Sequence, residues 1–219
     1  KGIQHIGEIL LEQLAALCDQ VTQDRKITNM VLPVVVSIFV FVLLNNWLGI
    51  LPGIGSIFIN TSEGAVSLFR GGTADINTTL TLGIFSVVFA NLVGIFSIGL
   101  WKSFTKFVRL PALLKLKNVF KDPVLLVVVP VDIFVGLLEI LGEIAKIASL
   151  SFRLFGNIFA GEVLLASMAA ILAFGLPTPF LFLEFFVGVI QAFIISLLTV
   201  VYVTLAVQDH SEHDEHAEG

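Results

Sequence analysis

Between Glu139 and Gln191 the chain sets six ionisable side chains among apolar residues: Glu139, Glu143, Lys146, Arg153, Glu162 and Glu184. Asn157 and Gln191 accompany them. One stretch, SLSFRLFGNIFAGE from Ser149 to Glu162, holds an arginine, an amide and a carboxylate within fourteen residues. Isolated helix-packing hydrogen bonds are the plainer explanation of such residues. Ionisable groups in membrane spans are rare, however, and mark ion pathways, proton relays or counter-ions. An arginine at the bilayer centre costs roughly 2.5–3.5 kcal/mol on insertion scales, and a facing carboxylate lowers that cost. Glu143 and Glu139 precede Arg153 by ten and fourteen residues on the same segment. The counter-charge is therefore expected on another subunit. Glu162 and Glu184, on adjacent antiparallel helices, are placed to share a proton, as a relay does and a fixed salt bridge does not.

At about 100° per residue, with Glu139 at zero, Glu143 falls near +40°, Lys146 near −20°, Arg153 near −40° and Asn157 near zero. These five residues make one stripe about 27 Å long. Glu162 falls near 140°, well round the helix from Arg153. Glu184 and Gln191, seven residues apart, share a face of the next helix.

The elements that must carry this stripe are membrane helices. Of 219 residues, 57% are hydrophobic and 13% charged, and the mean hydropathy is +1.00. Soluble domains run about 45–50% apolar and about 25% charged. The composition therefore reads as an all-α integral membrane protein. A net charge of −5, equal to that of the five acidic residues among the last eleven, argues against a nucleic-acid partner. Cys18 stands alone, which excludes an internal disulfide and a cysteine-based metal cluster. The chain opens on Lys1 with no signal-peptide pattern, and a truncated or processed N-terminus is expected.

Residues 1–24 carry Ile3, Ile6, Ile9, Leu10, Leu14, Leu17 and Val21 on one side, the pattern of a helix lying along a membrane surface. The charge-free runs Ile27–Ser62 and Ile76–Trp101 each suffice for a span, placed at 27–50 and 79–101. Between them lies a loop, 51–78, rich in Gly, Ser and Thr and holding Arg70 as its one basic residue. Residues 102–121 hold Lys102, Lys106, Arg109, Lys115, Lys117 and Lys121, which assigns that loop to the cytoplasmic or equivalent side.

The third unit, 124–174, is over-long. From Val131 to Phe174 there is no proline, and a continuous helix there would measure about 66 Å against a hydrocarbon core of about 30 Å. Either it breaks near Gly142 or Gly156, or it slants steeply. Pro177 and Pro179 are expected to end it, and a fourth span, 179–208, follows.

The run SFRLFGNIFAGE, followed by GVIQAFIISLLTVVYVTLA, closely resembles subunit a of the F-type rotary ATP synthases. FVLLNNWLGILPGIG, TADINTTLTLG and PVDIFVGLLEILGEIAKIASLSFRLFGN extend the resemblance through most of the chain. It implies a surface helix, a transmembrane hairpin and two long slanted helices packed against a c-ring. It implies a non-catalytic, proton-conducting stator, whose other partners are the peripheral-stalk subunit b and the lipid membrane, and which needs no cofactor or metal. Arg153 would match the essential arginine that faces each passing c-subunit carboxylate. Asn157 would match the polar residue one turn on, and Glu162, Glu184 and Gln191 would line the half-channel from the side opposite the basic loop, with Asp75 near its mouth. Glu139, Glu143, Lys146 and Ser149 would belong to the half-channel on the basic side. Some relatives pair a glutamate with a histidine where this chain has Glu162 and Glu184, which leaves a sodium-coupled version open. Family members also carry a further membrane helix before the surface helix.

The tail, 209–219, places His210, His213 and His216 among acids, and a solvated, weakly structured segment is expected rather than a metal site. A phosphate-cradling glycine loop, a nucleophile elbow and a basic-aromatic surface are all missing from the sequence, so ATP binding is not expected. A secondary transporter binding an anion at Arg153 is the alternative, but internal repeats that would favour it are not found. A purely structural anchor leaves the stripe unexplained. The expected location is the bacterial inner membrane, with plastid or mitochondrial membranes as alternatives.

Overall fold

In the computed structural model the described residues are 2–50, 58–61, 64–67, 72–98, 125–172 and 175–215. Their helices, in chain order, are α1 (Gly2–Thr22), α2 (Arg25–Ile50), α3 (Ile76–Ile98), α4 (Leu125–Ile171) and α5 (Pro177–Glu215). The basic segment 102–121 lies outside the described residues, as do His216 and the residues after it. The fold is all-α apart from a short antiparallel hairpin, β1 (Phe58–Thr61) with β2 (Gly64–Ser67), in register from Phe58 opposite Ser67 to Thr61 opposite Gly64. The hairpin falls in the stretch read from sequence as an irregular loop.

Local chemistry explains where the helices start and stop. Asp24 caps α2: its Oδ1 accepts from the Lys26 N–H at 2.8 Å and its carbonyl from the Thr28 N–H at 3.0 Å. Asp75 does the same for α3, its Oδ1 accepting from the Asn77 N–H at 2.9 Å. Gly175 has φ of 94°, a conformation that suits a residue without a Cβ. That turn, after α4 ends at Ile171, differs from the expectation that Pro177 and Pro179 end the helix. Pro177 instead opens α5, where its missing N–H is no loss. The chain after Gln208, read from sequence as a weakly structured tail, continues α5 to Glu215. With no Gly or Pro between Gly188 and Gly219, nothing in the sequence stops a long helix from propagating there.

Four helices, α2 to α5, are long and apolar enough to cross a membrane. The stretch of α4 around Gly142 and Gly156 is unbroken, giving 47 residues and about 70 Å of continuous helix. Of the two sequence-based alternatives, the break is thus excluded.

Two apolar clusters hold the assembly together, and α5 is common to both. In one, Leu14 (α1), Phe39 and Val42 (α2), Leu150 and Leu154 (α4) and Ile195 (α5) meet. In the other, Cys18 (α1), Val31 and Val35 (α2), Val93 (α3) and Val200 (α5) meet. α1 therefore packs through Leu10, Leu14 and Cys18, while Ile9, read from sequence as part of its apolar side, is exposed. At its end Asp19 pairs with Arg25 at 3.4 Å, and the Thr22 and Thr28 hydroxyls hydrogen-bond at 2.7 Å. These contacts close the corner between α1 and α2.

Burial raises the pKa of the Cys18 thiol, and the negative charge of Asp19 raises it further. Less thiolate then exists at a given pH, and the sulfur is also out of reach. Maleimide labelling of Cys18 at pH 7–8 is expected to be very slow in the native protein and rapid after denaturation. Fast native labelling would show that α1 leaves its seat on α2 and α5.

Candidate functional site

The open face of α4 dominates the geometry. In its apolar stretch 11% of residues are buried, against 33–44% in α2, α3 and α5. Leu137, Leu141, Ile144, Phe152 and Phe159 project outward from it. Leu150, Ser151, Leu154 and Gly161 face the other helices and are buried. Arg153 is exposed at the border between these faces, and Ser149, one turn earlier, is exposed beside it. Among the described residues Arg153 forms no ion pair.

Behind this border lies a crevice of about 440 Å³, open mouth included, between α2, α4 and α5. Asn157, Glu162 and Glu184 line it together with Asn45 and Asn46. α4 and α5 come close enough here that a Cβ on Gly161 would overlap the Glu184 carboxylate. Only glycine lets Glu184 lie over the α4 backbone at that level.

The crevice wall is pinned by amides. Asn46, 5% exposed, donates from Nδ2 to the Gly188 carbonyl at 3.1 Å, and its Oδ1 accepts from the Thr73 hydroxyl at 3.1 Å. Asn45 accepts the Gly72 N–H at 3.3 Å and donates to the Phe41 carbonyl at 2.8 Å. Trp47 stacks on Phe185 at 4.7 Å, next to Glu184 in the chain.

The remaining sequence-selected residues lie elsewhere. Gln191, two turns beyond Glu184 on α5, is buried with its Nε2 lacking an acceptor among the described residues, and it is not part of the crevice lining. Asp75 is exposed in a separate hollow with Phe155 and Phe159, and Gly72 lines that hollow while bonding Asn45. Towards the other end of α4, Glu143 binds Lys146 at 2.7 Å and accepts from Asn91 Nδ2 at 3.1 Å. Lys146 also stands over the Tyr202 ring, 5.7 Å from its centre. Glu139 is half-buried one turn earlier. Asn157, part of the α4 stripe on the helical wheel, is thus grouped by the fold with Glu162 and Glu184 instead.

Sequence reasoning passed over Asn45, Asn46, Asn91 and Tyr202. The signal was present: each of these amides interrupts a charge-free run, and Tyr202 is the only tyrosine of the chain.

Fold and site together define an all-α, multi-pass membrane protein with carboxylates and amides gathered inside its helix assembly. Residues 1–204 match the family model described as ATP synthase A chain. Curated relatives named "ATP synthase subunit a" include that of Mycobacterium leprae, 35% identical over 97% of this chain and 76% of its own. Those of Syntrophobacter fumaroxidans (32%; 95% and 73%) and Gloeobacter violaceus (33%; 97% and 74%) are also similar. The chain belongs to the ATP synthase subunit a family.

Replacing Gly161 by alanine is expected to move the Glu184 carboxylate, the far end of a flexible side chain, off the α4 backbone at little cost in stability. The thermal unfolding midpoint of the purified protein in detergent should stay within a few degrees of the parent's. A fall matching the roughly 1–3 kcal/mol of core overpacking would show that Glu184 is held rigidly against α4.

Proposed function

We propose that this chain is the non-catalytic, proton-conducting stator of a rotary ATP synthase. The open face of α4 takes a ring of c-subunits, with peripheral-stalk subunit b and lipid covering other faces. α1 lies along the membrane surface and the long α4 and α5 are slanted. The observation that carries the reading is Arg153. It is a guanidinium at the border of a long apolar face, with no carboxylate of the described chain paired to it and a carboxylate-lined crevice behind it.

The chemistry follows from the cost of charge in lipid. A rotor carboxyl can turn into the hydrocarbon only when neutralised. Opposite Arg153 the ionised form is favoured, so an arriving carboxyl gives up its proton there. Asn157, Glu162 and Glu184, with Gln191 deeper along α5, form one half-channel, and Asp75 stands near its mouth. Glu139, Glu143 and Ser149 belong to the half-channel on the basic side. Because the two paths do not meet, a proton must ride the rotor to cross. Each elementary charge moved through 100 mV releases roughly 2.3 kcal/mol, and several per turn drive synthesis elsewhere in the complex. We place the assembly in a bacterial inner membrane, in line with the bacterial relatives.

With the full-length subunit in the complete synthase, reconstituted in sealed vesicles, Arg153→Ala is expected to abolish ATP-driven acidification while assembly stays normal. Passive proton leak after removal of the catalytic head should rise. Pumping at the wild-type rate would reduce Arg153 to a packing or topology residue and sink the proposal.

A further inference from the structure

We infer that Asn91, Glu143, Lys146 and Tyr202 form a clamp that sets the rotation of α4 about its own axis, and thereby the direction in which Arg153 points. The inference rests on the stator reading of Arg153.

The need for such a device follows from the way α4 is held. Its partners cover one side, and the rest of its circumference is open. On the helical wheel the buried Leu150, Ser151, Leu154 and Gly161 fall between about +20° and +120°, and the exposed Ala145, Phe152, Gly156 and Val163 between about −100° and −140°. Arg153, near −40°, stands between the two groups. A roll of a few tens of degrees would press the guanidinium against protein or swing it further out. Apolar packing resists such a roll weakly, because dispersion contacts are individually small and non-directional.

The four residues supply direction. Lys146, near −20°, occupies the same border as Arg153 about two turns earlier, and Glu143, near +40°, lies beside it on the packed side of the helix. One oxygen of Glu143 takes the Lys146 ammonium at 2.7 Å, and the other takes the amide of Asn91 on α3 at 3.1 Å. The Asn91 amide is itself fixed by donating to the Val87 carbonyl at 3.0 Å. Lys146 reaches the other way, over the Tyr202 ring on α5. An ion pair on α4 is therefore guyed to α3 on one side and to α5 on the other. Hydrogen bonds and cation–π contacts hold orientation as well as distance, and both strengthen away from bulk water. Both side chains are 23–30% exposed, which shields the pair from full hydration.

The test uses the complete synthase in sealed vesicles. Lys146→Met and Tyr202→Leu each remove one end of the α5 tie. Each is expected to lower ATP-driven pumping about fivefold, and the double variant should fall no further, as coupled partners do. Tyr202→Phe keeps the ring, so it should stay within about twofold of wild type. A second readout follows rotation itself on the subunit purified in detergent, where nothing covers the open face of α4: with Cys18→Ser in the background, a cysteine replacing the exposed Ala160 reports by its maleimide labelling rate. That rate should change about fivefold in the two clamp variants and remain unchanged in Tyr202→Phe. Should Tyr202→Leu fail to assemble, Asn91→Ser, which cuts only the α3 tie, takes its place. Wild-type pumping and labelling in Lys146→Met and Tyr202→Leu, alongside an inactive Arg153→Ala, would overturn the clamp and leave the stator reading standing. Additive losses, or loss with Tyr202→Phe, would also overturn it. Normal pumping in Arg153→Ala would remove the reading on which the clamp rests, and the clamp with it.

Discussion

Charge inside an apolar assembly must be matched, and most of this structure can be understood from how each polar group meets that demand. Glu143 and Lys146 match one another and draw in Asn91 and Tyr202. Asn46 has a partner at each end of its amide, one on α5 and one at Thr73. Buried hydroxyls such as Ser196, Thr199 and Thr204 return to carbonyls of their own helix four residues back. Against that background Arg153 differs, exposed and without an ion-pair partner among the described residues. The satisfied groups fix the helices, and Arg153 is the group on which the proposed activity turns.

Lipid tails are as apolar as leucine, so helices in a bilayer are held together by close approach and by polar contacts rather than by expulsion of water. The interfaces here obey that rule. Gly83 on α3 has the Ser151 hydroxyl of α4 in the space a side chain would need, and a Cβ on Gly94 would stand only 3.2 Å from Ala206 of α5, closer than ordinary contact. Small residues along α3 let it lie against both long helices at once. α5, touched by every other long helix and by α1, forms the axis of the assembly, whereas α4 forms its open flank.

α2, α3 and α5 were legible in the sequence because charge-free runs of more than twenty residues have few other uses, and α4 because its length stays apolar around its few charges. Arg153 and the carboxylates stood out because charge is rare among such apolar residues, as did the SFRLFGNIFAGE run that carries the family resemblance. What sequence could not supply was three-dimensional partnership. Asn91 and Glu143 are 52 residues apart and Asn46 and Gly188 are 142 apart, and no periodicity connects them. A single helical wheel put Asn157 with Arg153; the approach of α5 and α2 on the other side puts it with Glu162 and Glu184. Helix ends were misjudged where proline was weighed above glycine, since Gly175 makes the turn and Pro177 starts the next helix. The extension of α5 to Glu215 shows a helix of 39 residues carrying a polar sequence that would not nucleate one alone.

The unbroken length of α4 has a geometric consequence. Its apolar stretch, Phe134–Ile171, is 38 residues or about 57 Å long. A rod of that length is contained in a hydrocarbon slab of about 30 Å only when inclined by about 58° from the membrane normal. Each step along such a helix moves further sideways than inward. From Glu139 to Arg153 the chain would travel about 18 Å in the membrane plane and about 11 Å in depth. Residues spaced along α4 would then differ more in lateral position than in depth, and in the proposed assembly their order in the sequence becomes an order of encounters with a passing rotor.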